Sequence, residues 1–198
     1  MAEDKRTLIY EAALSLVYEN SDLSSIKVAD IAARANIGKG TVYEYFESKE
    51  QVIGEALIYM AKKSIDSIES LLEAVKSFRE AYLQLLAYFD SMLSQNRNVY
   101  DLITMNPNNL AVHTAIQRIV AVRLEEIRGE FFEMMEKLVV RSVEEGVLPA
   151  MPAKFDWQTA VLSSLTCVFF HRQFEEEFAL TDEEVLDKAY DAYVKLLS

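Results

Sequence analysis

The chain has 198 residues, of which 51% are hydrophobic and 26% charged, with only three prolines and five glycines. This excludes a disordered chain and argues against turn-rich β architecture, leaving long helices around a sizeable core, in one ordinary domain plus a small module. The net charge of −12 is unevenly spread: residues 1–63 carry 8 basic against 10 acidic side chains, so the remainder holds −10 and repels polyanions.

Ile9, Ala12, Ala13 and Leu16 recur at i, i+3, i+4 and i+7, which predicts a helix from about Asp4 to Glu19, ended by Asn20, Ser21 and Asp22. Val28, Ile31, Ala32 and Ala35 predict a second, two-turn helix. Asn36 follows, a residue type that tolerates the left-handed backbone of a tight turn. Ile37, Val42 and Phe46 give the apolar side of a third helix, from about Lys39 to Tyr45. Ser48 and Gln51 form a capping box opening a helix from Lys49 to about Ala74, and Ser77 with Glu80 opens another that runs to about Gln95. The Asn106–Asn109 stretch, with Pro107, breaks the chain. A long helix follows from Leu110 to about Glu145, and Gly146 sits where a helix C-terminus favours glycine. Two helices close the sequence, about Asp156–Glu177 and, behind the Thr181/Glu184 box, Asp182–Leu197. The expectation is an all-α fold of about nine helices. A helix-turn-helix domain occupies 1–50, with its motif at 27–46, and a helical ligand-binding and dimerisation domain occupies 51–198.

The stretch from Lys27 to Gln51 carries the function. Two short amphipathic helices joined by a tight turn let one brace a DNA backbone while the other enters a major groove about 12 Å wide. Gly38 and Gly40 leave amides uncovered at the second helix's start, where partial positive charge favours phosphate. Lys39, Thr41, Tyr43, Tyr45 and Lys49 place donors around the same end, provided that Glu44 and Glu47 point away. Taken singly, each tyrosine or lysine is equally an ordinary surface or core residue.

Ala12-Ala13 and Leu16, then Asp30-Ile31-Ala32, then the run from Ile37 to Glu50 (IGKGTVYEYFESKE) resemble the head of the TetR family of transcriptional regulators. The resemblance covers about residues 6–55, and beyond it only the layout matches. It implies that Thr41, Tyr43 and Lys49 grip phosphates and that Lys39 and Gly40 lie near base edges or backbone. Asn36 stands in place of the usual turn glycine, Gly38 in place of a serine cap and Lys27 in place of a capping threonine. Either Lys27 touches a phosphate, or Ser24 or Ser25 caps the helix.

In the body, Ala160–Phe170 is apolar almost all round and the last helix bears two apolar stripes. Val161, Leu165, Val168, Phe169, Leu186, Tyr190, Tyr193 and Leu197 are expected to meet a second copy in a four-helix homodimer interface, unless both faces are buried within one chain. Tyr82, Tyr88, Phe89, Met92, Tyr100, Met105, Phe131, Met135 and Trp157 suit either the lining of a small apolar effector site or ordinary core. Asp90 or Glu133 beside them would favour a cationic ligand, or be solvated.

His113, His171 and the single Cys167 show no metal spacing, and no nucleophile with a base partner is visible, so no cofactor, metal or enzymatic activity is expected. No apolar run reaches the roughly 18 residues of a bilayer span, and Met1–Arg6 lacks a signal pattern, so the expected location is the cytoplasm, nucleoid-associated when on DNA. The expected partners are double-stranded operator DNA, a second copy and a small-molecule effector. The expected function is a repressor released from a palindromic operator by a largely apolar ligand. The competing expectation is a helical ligand-binding or scaffolding dimer that has lost DNA binding.

Overall fold

The computed structural model describes residues 4–20, 23–95, 110–174 and 177–198, the side chains of 95, 110–113 and 124 excepted. Among the described residues there are eight α-helices and no strand: α1 (Lys5–Glu19), α2 (Val28–Arg34), α3 (Lys39–Tyr45), α4 (Lys49–Ala74), α5 (Phe78–Gln95), α6 (Leu110–Glu144), α7 (Lys154–Gln173) and α8 (Asp182–Leu197). The expected boundaries hold within a residue or two except for α7. That helix starts two residues early and stops at Gln173, where Phe174 leaves helical geometry (φ −125°, ψ 33°) while its amide still bonds back to Phe170 and His171.

The chain divides into two compact units. The first comprises 1–64 with 96–128 and the second 65–95 with 129–198, so α4 and α6 supply residues to both. This division by packing does not follow the boundary expected at residue 50.

The first unit packs α1, α2, α3 and the start of α4 around Ile9, Ala13, Val17, Ile31, Val42, Phe46, Val52 and Ile53, joined by Ile116 of α6. The four residues that marked α1 as amphipathic, Ile9, Ala12, Ala13 and Leu16, are all buried there. Asp4 caps α1 by accepting from the Arg6 amide at 3.2 Å. Gly54 lets α6 approach α4 closely, because a Cβ there would lie 2.8 Å from Cγ2 of Ile119.

The α2–α3 turn is closed by Asn36, whose φ of +54° is the only positive value at a non-glycine residue among the described residues. The Ile37 amide reaches back to the Ala32 carbonyl at 3.0 Å, satisfying one of the orphan acceptors at the end of α2. Gly146 (φ +71°) ends α6 in the same way, with the Val147 amide on the Ser142 carbonyl at 2.8 Å.

In the second unit, Phe78, Tyr82, Leu86, Met135, Val139, Trp157, Val161, Val168 and Tyr193 form the core. The turn between α4 and α5 is held by one ion pair, Arg141 in the last turn of α6 and Glu145 just after it. The Arg141 guanidinium donates to the Val75 carbonyl at 2.7 Å, at the C-terminal end of α4. Glu145 accepts the Phe78 amide at the start of α5 (2.8 and 2.9 Å) and the Arg141 Nε at 2.9 Å. Each charge thus sits at the helix end whose dipole it complements.

The Phe78 amide, with Arg141 beside it, holds the Glu145 carboxyl below the usual carboxylate range. A group so lowered stabilises the fold above its unfolded-state value of about 4.3, and that contribution fades as pH falls through the lower folded value. Glu145→Gln should therefore lower Tm by about 2–4 °C at pH 7, the shift expected for loss of a bond worth ~1 kcal/mol in a chain of this size. Thermal melts at decreasing pH should show the gap to wild type closing as pH falls below the ordinary carboxylate range.

Candidate nucleic-acid interface

α3 has seven residues and two unlike sides. Val42 and the following Phe46 point into the head core, at 1% and 2% exposure, while Lys39, Gly40, Tyr43 and Glu44 are exposed. Tyr43 keeps 51% of its surface in solvent, and the Lys39 ammonium lies 5.7 Å from the centre of its ring. Gly38, the N-cap, has φ −72°, so glycine is not required there by backbone geometry; with Gly40 it contributes bareness, a Cβ at Gly40 meeting nothing within 4 Å. Thr41 is half-buried, its amide on the Gly38 carbonyl at 2.9 Å.

A cleft of about 470 Å³ lies where α2 begins, where α3 turns its outer face and where α4 starts. It gathers Lys27, Lys39, Tyr43 and Lys49, with Glu47 and Ser48. Three lysines against one glutamate make this the reverse of the chain's overall charge. Glu47, which phosphate binding would require to point away, is among the residues that line the cleft; its amide is held by Oε1 of Gln51 at 2.7 Å, and that fixes the turn into α4.

Tyr45 is not brought into this group. Two residues along a helix is about 200° of rotation, so Tyr45 lies half-buried against Phe46 and beneath Arg6, away from Tyr43. Lys27 is the N-cap residue of α2, and an ammonium cannot accept the amides that a cap must satisfy. Asp30 partly compensates by accepting the Lys27 amide at 3.0 Å.

Lys49 has a structural task that spacing did not reveal. Its ammonium donates to the carbonyls of Ser24 (2.7 Å) and Ile26 (3.1 Å), pinning the segment before α2 to the start of α4. One of its three donors is left for a phosphate. Arg34 is committed elsewhere, gripping Glu19 through two bonds of 2.8 and 2.6 Å.

In the second unit, the residues expected to line an effector site are divided. Tyr82, Met135 and Trp157 are core, at 0%, 0% and 1% exposure. The Tyr82 ring lies tilted against that of Tyr193, centres 4.4 Å apart, and its hydroxyl shares a 2.6 Å hydrogen bond with Ser164; burial raises the pKa of both tyrosines so that they stay neutral. Tyr88, Phe89 and Phe131 pack half-buried against this core, and Met92 is half-buried. Tyr100 and Met105 lie outside the described residues. Asp90 does not face the lining as a lone anion. It accepts Nε of Arg172 at 2.6 Å and a second bond from the same guanidinium, which also reaches Asp182 at 3.0 Å.

The dimer expectation needs correction at four positions. Val161, Val168, Tyr190 and Tyr193 are buried in the core of their own unit. On α7 the inward stripe is Trp157, Ala160, Val161, Ser164, Val168 and His171, and it consumes the side on which Val161 and Val168 lie. The apolar residues left exposed are Phe155 (77%), Leu162 (51%) and Phe170 (51%) on α7, with Leu196 (59%) on α8. Leu165, Phe169, Leu186 and Leu197 are half-buried.

Among the described residues no helix is long and apolar enough to cross a membrane, and no cluster of three or more His, Cys, Asp or Glu could hold a metal ion. His171 is buried with Nε2 3.3 Å from the Leu180 carbonyl; the His113 side chain lies outside the described residues.

Residues 9–56, from the buried stripe of α1 to the start of α4, match the model of the bacterial regulatory proteins of the tetR family. The head of the chain, residues 9–56, is thus similar to the head of that family. These residues share the helix-turn-helix arrangement of those DNA-binding transcriptional regulators. An HTH-type transcriptional regulator of Staphylococcus aureus (strain MRSA252) is 21% identical over 196 residues, spanning 98% of this chain and 94% of that one. The chain's fold is similar to that of the fatty acid degradation regulator FadR from Bacillus halodurans (TM-score 0.66, 18% identity, 100% of this chain and 97% of that one). It is also similar to FadR from Bacillus subtilis in complex with stearoyl-CoA (TM-score 0.60, 17% identity, 97% of each chain).

Lys49→Met removes both bonds to the Ser24 and Ile26 carbonyls and should cost about 1–2 kcal/mol, read as a lower urea midpoint. Lys39→Ala, on the open face, should leave that midpoint within about 0.5 kcal/mol of wild type. Equal midpoints for the two variants would show that the Lys49 tie contributes nothing.

Proposed function

We propose that this chain is a repressor that grips operator DNA through the Lys27, Lys39, Tyr43 and Lys49 cleft and releases it when a largely apolar small molecule binds the second unit. The observation that carries the reading is the cleft itself, three lysines and a half-exposed tyrosine gathered at the outer face of α3 in a chain of net charge −12. Phosphate recognition needs such local donors and not overall basicity.

Residues 1–50 carry DNA recognition and 51–198 carry sensing and pairing. A homodimer would cover the exposed Phe155, Leu162 and Phe170 of α7 together with Leu196. Two heads then read a palindrome with half-sites about 34 Å apart. The half-buried Tyr88, Phe89, Met92 and Phe131 offer the apolar surface for an effector. The stearoyl-CoA held by the Bacillus subtilis relative makes long-chain acyl thioesters the first class to try. The protein acts by binding in the cytoplasm, without catalytic turnover. Glu47 within the cleft favours a second reading, a helical scaffold that does not bind DNA, because it opposes phosphate.

Duplexes selected from a random pool decide between the two. The wild type should retain a palindromic duplex with log K falling steeply as log[salt] rises. Lys39→Ala with Tyr43→Phe should weaken retention, the lysine alone making the slope shallower by about 0.9 for each phosphate it no longer neutralises. Stearoyl-CoA should lower occupancy by about 5- to 150-fold, a coupling of ~1–3 kcal/mol. Retention that is absent or indifferent to salt would establish the scaffold reading.

A further inference from the structure

Arg6, in the first turn of α1, took no part in the sequence-based site. Its guanidinium lies 5.8 Å from the ring centre of Tyr45 and 5.3 Å from that of Phe46, at the end of α3. Those two rings fix where the charge sits without using any of its N–H donors.

Arg6 lines a groove of about 1000 Å³ in the first unit, and Glu47 and Ser48 belong both to that groove and to the lysine cleft. The turn into α4 therefore borders both the cleft with Lys27, Lys39 and Lys49 and the groove with Arg6.

Of the charged groups facing Arg6, Glu55 is closest, with Oε2 at 3.5 Å, a long single approach. Its oxygens are already engaged, Oε2 by the Tyr10 hydroxyl at 2.9 Å and Oε1 by the Gln51 amide at 2.9 Å. Lys62 and Arg123 in the same groove bond Glu126 at 2.7 and 2.8 Å, and Glu47 is the remaining acid. Arg34 shows what a committed structural arginine looks like in this unit, two short bonds to one carboxylate. Arg6 has no such fork among the described residues and keeps 45% of its side chain in solvent.

We infer that Arg6 is a further DNA-binding residue, a phosphate contact held over Tyr45 and Phe46 in the groove that shares the α4 turn with the lysine cleft. A backbone crossing that turn is then held from both the cleft and the groove, with Tyr45 supporting the cation and not itself touching DNA. The inference rests on the DNA-binding reading above.

The test is fluorescence anisotropy of a duplex selected from a random pool, measured over a salt series with wild type, Arg6→Gln, Arg6→Lys and Glu55→Gln. Arg6→Gln keeps a stem and a planar amide over the rings, and circular dichroism checks that each variant folds. The expected result is weaker binding by Arg6→Gln, with a slope of log K against log[salt] shallower by about 0.9 for each phosphate released, about 1.8 for a dimer. Arg6→Lys should keep the wild-type slope, and Glu55→Gln, which removes an anion, should bind more tightly. An unchanged slope in Arg6→Gln, or Arg6→Gln and Glu55→Gln weakening binding alike, would show that Arg6 only packs α1 onto α3. Those outcomes leave the functional reading standing, whereas failure of the wild type to bind any duplex overturns both.

Discussion

α3 is seven residues long, and a helix of that length has no stability of its own in water. It exists because Val42 and Phe46 are anchored in the head core and because the Asn36 turn delivers the chain to them at the right angle. Burying a side chain such as Phe46 contributes about 2–3 kcal/mol, which offsets part of the cost of ordering two turns. Everything that the outer face presents follows from that inward anchoring. With Val42 and Phe46 fixed, helical geometry places Lys39, Gly40 and Tyr43 outward and rotates Tyr45 away from them.

The remaining charges of the head sort by how fully they are neutralised. Arg34 is spent on Glu19 and Lys49 is largely spent on the carbonyls before α2, whereas Lys39, among the described residues, meets the face of Tyr43. Positive charge thus has two uses here. One kind holds the loops in register, and the other is kept available on the open face of α3. The net charge of −12 does not bear on this, since screening confines charges outside the head to about one Debye length, ~10 Å.

Much of this was legible in the sequence wherever a local rule applied. The i, i+3, i+4 stripe of α1, the left-handed Asn36, the Gly146 terminus and the Thr181/Glu184 box each depend on residues a few positions apart, and each was found where expected. What could not be read depended on distant partners. The Lys49 tie joins residues 23 to 25 positions apart, and the Asp90–Arg172 pair spans 82. On α7 apolar residues occur nearly all round the helix, so periodicity carries no information about which stripe faces inward. Only the packing of Trp157, Val161 and Val168 against the rest of the second unit decides it.

That packing also constrains how an effector can act. Tyr82 and Tyr193 lie tilted with ring centres 4.4 Å apart and fully buried, with Phe78 and Tyr190 around them, so a ligand here would meet rings already packed against one another. An apolar molecule entering here would have to replace ring contacts with its own, gaining only the difference between the two packings. The half-buried Tyr88, Phe89 and Phe131 lie at the margin of the same core, where surface still in water can be covered without breaking existing contacts. Covering it yields about 25 cal/mol per Å², so some 100 Å² of newly buried apolar surface reaches the ~1–3 kcal/mol that a useful coupling requires, if one state alone offers it. For the proposed effector, the energetics therefore favour the edge of the aromatic core over its centre.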